Sequence, residues 1–502
     1  MYMVLLTKGF FACAILLFFF PITSYAGSIK DGASGNPGEW YIGDLPGSVT
    51  EEKRPILFIH GLNSSSETWY GNNDMYETAL ENGYETAFID LYPTKDMWDN
   101  GELLAGKIAD MYSHFGEKIV IVAHSKGGID AQSALVHHGA STYVDRVITL
   151  STPHHGSQLA DLAYSSWAGW LAGIIGSKND ATYSLQTGYM SYFRSMTDSR
   201  PEIGTVPFYT FGGTEWGSFG SSLYWGGLYL NSYGRNDGAV TVKSSRLPYA
   251  QELQVGKWDH SSIKEGSSTF PLFRPYLNET APLAAAGLET AAAAEETDPA
   301  AGQYVSGGEY TGRTRETVIV EPGADTVTFD WITSSPDVDL KLVSPDKKTY
   351  SGFQAAKDET EVLEGSYHHT LRIDDPAAGK WRLEARSPGG ESYLLNTSFD
   401  SELNEKISAT VNMDELKVKN KDARLKYKTD MTITHYQNGQ EKETKLRVKK
   451  NSDGAYQLPK LGEGVYSLTI EVEGTYKKAP FARTMISSVY IDHNGSVYSE
   501  DF

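Results

Sequence analysis

Apolar and polar positions in the first half of the chain alternate between two textures. Short unbroken apolar runs, "RPILFIHG", "YETAFIDL", "KIVIVAHS", "VDRVITLSTP" and "VPFYTFGG", have the length of buried strands. Between them, "ELLAGKIADMYSHF" and "GGIDAQSALVHHG" carry apolar residues at three- and four-residue spacing and predict helices. "QELQV" predicts one further strand. Such alternation predicts an α/β domain over residues 27–280, with a doubly wound, mostly parallel sheet. The pattern then stops. "APLAAAGLETAAAAEETDPAAGQ" is rich in Ala and Glu and predicts a linker over 281–303. Beyond it the period falls to two, with Pro, Gly and Asp between short runs. That texture predicts two all-β sandwich domains, over 304–402 and 403–502.

The first residues change the picture. Lys8 precedes the apolar run "GFFACAILLFFF", and Ser24-Tyr25-Ala26 ends in a small-x-small cleavage pattern. We read 1–26 as a signal peptide and expect a secreted, extracellular protein; the run is short for a membrane span. Cys13 is the only cysteine and lies inside that run. The mature chain then has no disulfide, no thiolate nucleophile and no cysteine-held zinc. A net charge of -20 disfavours nucleic acid and anionic membranes as partners.

Chemistry concentrates at "IVIVAHSKGGIDAQ". A strand running through small-x-Ser-x-Gly into a helix makes a strained turn that lifts Ser125 above the sheet edge. Ala123 and Gly127 hold the positions that must be small, and Gly128 adds clearance. A serine hydroxyl needs a base, and the base needs a carboxylate. His260 in "GKWDHSS" and Asp237 in "SYGRNDGAV" follow in the order this architecture uses. Asp259 and Asp90 are the competing carboxylates; Asp90 precedes the serine, against that order. The amides of Lys126 and of Leu62, in "FIHGLNSSSETW", are the expected oxyanion donors. His60 is expected to pack rather than act as a base.

The segments "HGLNSSSETW", "VAHSKGGIDA", "LSTPHHGS", "RNDGAV" and "WDHS", spread from Pro55 to Ser262, resemble the bacterial true lipases of the α/β-hydrolase superfamily, those related to the Pseudomonas and Burkholderia lipases. The resemblance implies Ser125, Asp237 and His260 as a catalytic triad, with Leu62 and Lys126 at the oxyanion hole. Those lipases keep a calcium-binding aspartate two residues after the catalytic histidine. Here that position is Ser262, which leaves a calcium site open to doubt. The first β module resembles jelly-roll-like modules appended to secreted bacterial hydrolases, and the second resembles immunoglobulin-like domains.

Around this core the sequence gives expectations of different sharpness. Leu159, Leu162, Ala163, Trp167, Trp170, Leu171, Ile174 and Ile175 form one apolar helical face, either a core helix or a lid over the serine. "EWGSFGSSLYWGGLYLNSYG" reads as an acyl-chain groove or a β-hairpin, and Trp167, Trp170 and Trp225 are candidate substrate contacts. The adjacent pairs His137-His138 and His154-His155 do not suit one metal ion, and no metal ligands are assigned. Asp337 and Asp339 fit a solvated turn better than a calcium loop. No cofactor is expected to be required, with calcium kept as an alternative. The expected activity is carboxylic ester hydrolysis, with triacylglycerol as leading substrate. Polyester depolymerisation, soluble-ester hydrolysis and a non-enzymatic adhesion role are the alternatives, with the β modules contacting a substrate surface or cell wall.

Overall fold

The structure is a computed structural model. It describes residues 27–28, 35–47, 53–169, 171, 176–278, 301–412, 414–437 and 442–500. The expected signal peptide, linker residues 281–300, Trp170, Ile174 and Ile175 lie outside the described residues.

Residues 27–278 carry one eight-stranded sheet. Its strands are β1 (Gly27–Ser28), β2 (Trp40–Ile42), β3 (Ile56–Ile59), β4 (Thr86–Ile89), β5 (Ile119–His124), β6 (Val144–Leu150), β7 (Phe208–Gly213) and β8 (Gln251–Gly256), in the order β1-β2-β4-β3-β5-β6-β7-β8. From β4 to β8 all pairings are parallel, and β2 joins β4 antiparallel. The apolar runs are unbroken because both faces of the sheet are covered. Leu57 and Ile59 face a core with Ile121, while Ile56 and Phe58 face another with Val122 and Phe211. Eight described helices flank the sheet: α1 (Met75–Glu81), α2 (Met97–Phe115), α3 (Gly127–His137), α4 (Gln158–Ala163), α5 (Asp180–Ser184), α6 (Thr187–Thr197), α7 (Ser222–Leu230) and α8 (Gly266–Phe273). This is the α/β-hydrolase arrangement.

All later sheets are antiparallel. The first module contains β9 (Gln303–Val320), β10 (Ala324–Thr333), β11 (Asp339–Val343), β12 (Thr349–Tyr350), β13 (Gln354–Lys357), β14 (Tyr367–Asp374) and β15 (Gly379–Ser401). The long β15 pairs with β9 along its length, but its other edge changes partner. It holds β11 before a register shift at Ser387/Gly390 and β10 after it. One sheet thereby folds over its own core, which stacks Trp331 on Tyr393 with centroids 4.0 Å apart. The second module packs a three-stranded sheet, β16 (Ile407–Asn412), β17 (Glu415–Asn420) and β20 (Tyr456–Gln457), on a five-stranded one. The latter holds β18 (Lys426–Gln437), β19 (Lys442–Val448), β21 (Gly464–Tyr476), β22 (Ala479–Ile491) and β23 (Val497–Ser499).

Both modules sit on the α/β domain. Leu159, Leu171, Trp225 and Tyr229 share one buried core with Val305, Val362, Tyr436 and Tyr490. Gly188 lies so close to β22 that a Cβ there would meet the Val489 backbone at 2.6 Å. The apolar stretch expected as one continuous helix is interrupted. Helix α4 stops at Tyr164. There the second module supplies polar partners: Tyr436 donates to the Tyr164 carbonyl at 3.0 Å, and the Ser166 amide donates to Thr469 at 3.2 Å.

Candidate active site

Strand β5 ends at His124, and Ser125 takes φ of 51°, the left-handed region. A non-glycine residue rarely goes there, at a cost on the order of 1–3 kcal/mol. The turn is enforced by close approach. A Cβ at Gly127 would lie 2.3 Å from the His60 carbonyl, and one at Gly128 would lie 2.2 Å from Thr152 Oγ1. The small residues therefore clear the ends of neighbouring strands as α3 wedges between them. Ser125 is 5% exposed.

Helix α3 is anchored from inside. Lys126 Nζ reaches one turn along to Asp130 Oδ1 at 2.6 Å, and Asn100 of α2 donates to Asp130 Oδ2 at 3.1 Å. Burial lifts the Asp130 carboxyl, against the pull of Lys126, to about 6. The pair ties the residue after the serine to α2 and leaves its amide at the start of α3. Gly61 faces the same spot, since a Cβ there would sit 2.8 Å from Ser125 Cβ. Leu62 follows it, buried.

His260 and Asp237 meet beside the serine. His260 Nδ1 lies 2.8 Å from Asp237 Oδ2, with both side chains buried. The Asp237 Oδ1 accepts the amides of Ala239 and Val240, at 3.0 and 2.7 Å, and so cannot swing away. His124 supports the other side. Its Nε2 is 2.9 Å from the His260 carbonyl, and the two rings lie 4.6 Å apart. Burial pushes the His260 imidazole down, but Asp237 and then Glu361 outweigh it, and the net shift is upward. The competing acids point elsewhere: Asp259 accepts from Ser261 and Ser262, and Asp90 from the Ser66 amide. His60 accepts the Leu91 amide at Nε2, at 2.9 Å, and burial drops its pKa to about 4.

One participant was not visible in the sequence. Glu361, in the loop after β13, enters from the first β module. Its Oε2 lies 3.9 Å from His260 Nε2 and 3.1 Å from a Cβ built on Gly61. Burial raises its pKa, with the nearby His260, Lys264 and Ser125 pulling the other way. Asn63 Nδ2 donates to the Glu361 carbonyl at 2.8 Å. Glu361 itself has φ of 65°. "KDETEVLEGSY" reads locally as a solvated turn, and only long-range packing reveals this role.

Of the expected substrate contacts, Trp225 is buried on α7, with its ring 4.6 Å from that of His368, and Trp167 is partly buried under β9. The segment before Asp237 is not a hairpin but helix α7, capped by Ser221, whose Oγ accepts the Tyr224 amide. His124, His260 and Glu361 are close enough to suggest a metal group, their ligand atoms lying within 4.8 Å. Zinc ligands at their usual bond lengths stand about 3.3–3.5 Å apart. His260 Nε2 and Glu361 Oε2 stand 3.9 Å apart, wider than that spacing, and His260 Nδ1 is already engaged by Asp237. His137 bonds Thr197, His154 is buried near Thr149, and Asp337 and Asp339 are exposed and join no such group among the described residues.

Known proteins align with this arrangement. Residues 97–166 match the family model described as a PGAP1-like alpha/beta domain. Triacylglycerol lipase 2 of Saccharomyces cerevisiae is 31% identical over 167 residues, which is 30% of this chain and 49% of the yeast protein, so the chain spans about half of that relative. The crystal structure of Bacillus licheniformis lipase BlEst2 in mature form is 59% identical, covering 48% of this chain and 99% of that one, with a TM-score of 0.47. The same lipase in propeptide form is 42% identical and superposes with a TM-score of 0.82, covering 93% of this chain and 100% of that chain. A match across both the α/β sheet and the antiparallel modules, at that identity, places the chain in the lipase family of B. licheniformis BlEst2, within the α/β-hydrolases.

Proposed function

We propose that the chain is a serine carboxylic-ester hydrolase in a closed precursor state, with its C-terminal modules as the closing element. The observation that carries this reading is the 2.8 Å contact of His260 with Asp237, beside a serine held at φ of 51°. His260 Nε2 takes the Ser125 proton as Oγ attacks the ester carbonyl. The oxyanion is held by the amides of Leu62 and Lys126. His260 then gives its proton to the departing alcohol, and the C–O bond breaks to leave an acyl-enzyme. His260 then deprotonates water as it attacks the acyl carbonyl, the C–O bond to Ser125 breaks, and His260 returns the proton to Oγ, releasing the acid and free serine. Asp237 stabilises the imidazolium throughout.

Glu361 opposes this cycle in two ways. A carboxylate is a poor electrophile, so it occupies the site without being attacked. Its charge also favours the imidazolium of His260, which cannot act as a base. The Bacillus relative's propeptide form, aligned over its whole length, supports reading the modules as a removable inhibitor rather than a wall-binding or adhesion device. The N-terminal apolar run supports export.

Triacylglycerol is the substrate class we favour. Support comes from the yeast relative's name and from the apolar face that the modules cover, including Leu159, Leu171 and Trp225. Once uncovered, that face suits an aggregated lipid better than a dissolved ester. The test is turnover of emulsified triglycerides and soluble short esters by chain freed of its modules, in wild type and Ser125→Ala. We expect a rate jump at the emulsion boundary and a loss of at least about a thousandfold in the variant. Full activity of Ser125→Ala would remove the serine mechanism; smooth saturation without a jump would make the enzyme a soluble-ester esterase.

A further inference from the structure

The loop that delivers Glu361 is held by a second buried polar cluster. His368, on β14, has no exposed side-chain surface. Its Nδ1 is 2.7 Å from Asp330 Oδ2 on β10, and its Nε2 is 3.0 Å from Asp358 Oδ2 at the start of the loop. Both ring nitrogens face carboxylate oxygens, which only accept, so the ring donates from both and carries a charge. Asp358 passes the constraint forward, because it accepts from the Thr360 amide at 3.2 Å and the Thr360 hydroxyl at 2.9 Å. Thr360 precedes Glu361 directly. The Asp358 amide donates to the Ser366 carbonyl at 2.9 Å and closes the loop on itself. On the hydrolase side, the Glu359 amide donates to Ser222 Oγ at 2.7 Å, and the Trp225 ring of α7 covers His368.

Resting on the closed-precursor reading, we propose that His368 is the positioning residue of the plug: the Asp330–His368–Asp358 cluster fixes the loop that seats Glu361 on Ser125, and loss of its proton unseats it. The charged groups facing His368 are Asp330 from β10 and Asp358 from the loop, with His369 next to it; α7 presents the uncharged Trp225. Burial lowers the His368 pKa, but the two carboxylates outweigh it and hold it at about 9. The sign follows. The seated state binds a proton that a released, solvated imidazole holds only below its ordinary value of about 6.5. Closure is therefore fully supported below that value and weakens as pH rises through about 9.

The experiment is phosphonylation of Ser125 by a fluorophosphonate, followed by intact mass on the full chain, across neutral to alkaline pH. In the wild type we expect slow labelling that rises by about tenfold or more through the alkaline step, the change that about 1.4 kcal/mol in the open–closed balance produces. Asp358→Asn keeps size and fold while removing one partner; it should label about tenfold faster at neutral pH, with the step lost. Glu361→Gly lacks the plug and reports the triad's own pH profile. If Asp358→Asn labels like wild type and the wild-type profile merely parallels that of Glu361→Gly, the latch is overturned while the plug stands. If Glu361→Gly labels as slowly as wild type at every pH, the closed-precursor reading itself falls.

Discussion

Ser125 at φ of 51° and Glu361 at φ of 65° both take the left-handed backbone that penalises their residue types. Each uses a left-handed turn to aim one side chain at the same point. Their legibility differs sharply. Ser125 announces itself because its strain needs small neighbours close by in sequence, at Ala123, Gly127 and Gly128. Asp237 and His260 follow from chain order. Glu361 has no local signature, since its partners Asn63, Ser125 and His260 lie on a different domain. Glu361→Gly should stabilise the loop by up to about 1 kcal/mol, because glycine adopts this φ freely, while opening the site. Thermal unfolding and ester turnover on the same sample check both halves of that expectation.

At the scale of elements, periodicity located strands β3–β8 and helices α2 and α3, passed over the short β1 and β2, and erred where glycine and aromatic residues mix. Helix α7 contains Gly226 and Gly227, which lowered its helical signal. The structure shows why they are there. A Cβ at Gly226 would fall 1.9 Å from the Gly238 carbonyl, and one at Gly227 would fall 2.2 Å from Trp216. The helix is pressed onto the turn that holds Asp237, so packing overrides propensity. The α2–α3 contact supports an independent prediction. Asp130→Ala would leave the Lys126 ammonium buried without a partner, a loss of about 3–5 kcal/mol. Denaturant unfolding should show a lower midpoint, and the remaining folded enzyme should lose turnover more than substrate affinity, because the Lys126 amide belongs to the proposed oxyanion site.

Across the whole molecule, the sequence predicted two β modules but not what they touch, because their interface is built from ordinary apolar strands. At its edge, Asp161 of α4 accepts from Ser488 of β22 at 2.6 Å and from the Thr187 amide and hydroxyl at 3.0 and 2.7 Å. Burial raises its pKa to about 7. On the closed-precursor reading, the carboxyl is protonated at mildly acid pH while the modules cover it, and their release lets it ionise toward its ordinary value of about 4. Asp161 thus supports closure most below that value, and the support is lost as pH rises through about 7. Asp161→Asn should flatten the pH dependence of the closed chain's thermal midpoint over that window; an unchanged slope would exclude this group as its source. The central claim, that a reactive serine is present and stopped by one carboxylate, meets its most direct test at neutral pH. The labelling rate of Ser125 by a fluorophosphonate is compared in full-length wild type and Glu361→Gly, with the adduct mapped to the peptide containing it. The account predicts the adduct on Ser125 in both, formed far faster in the variant; equal rates, or an adduct on any other residue, would contradict it.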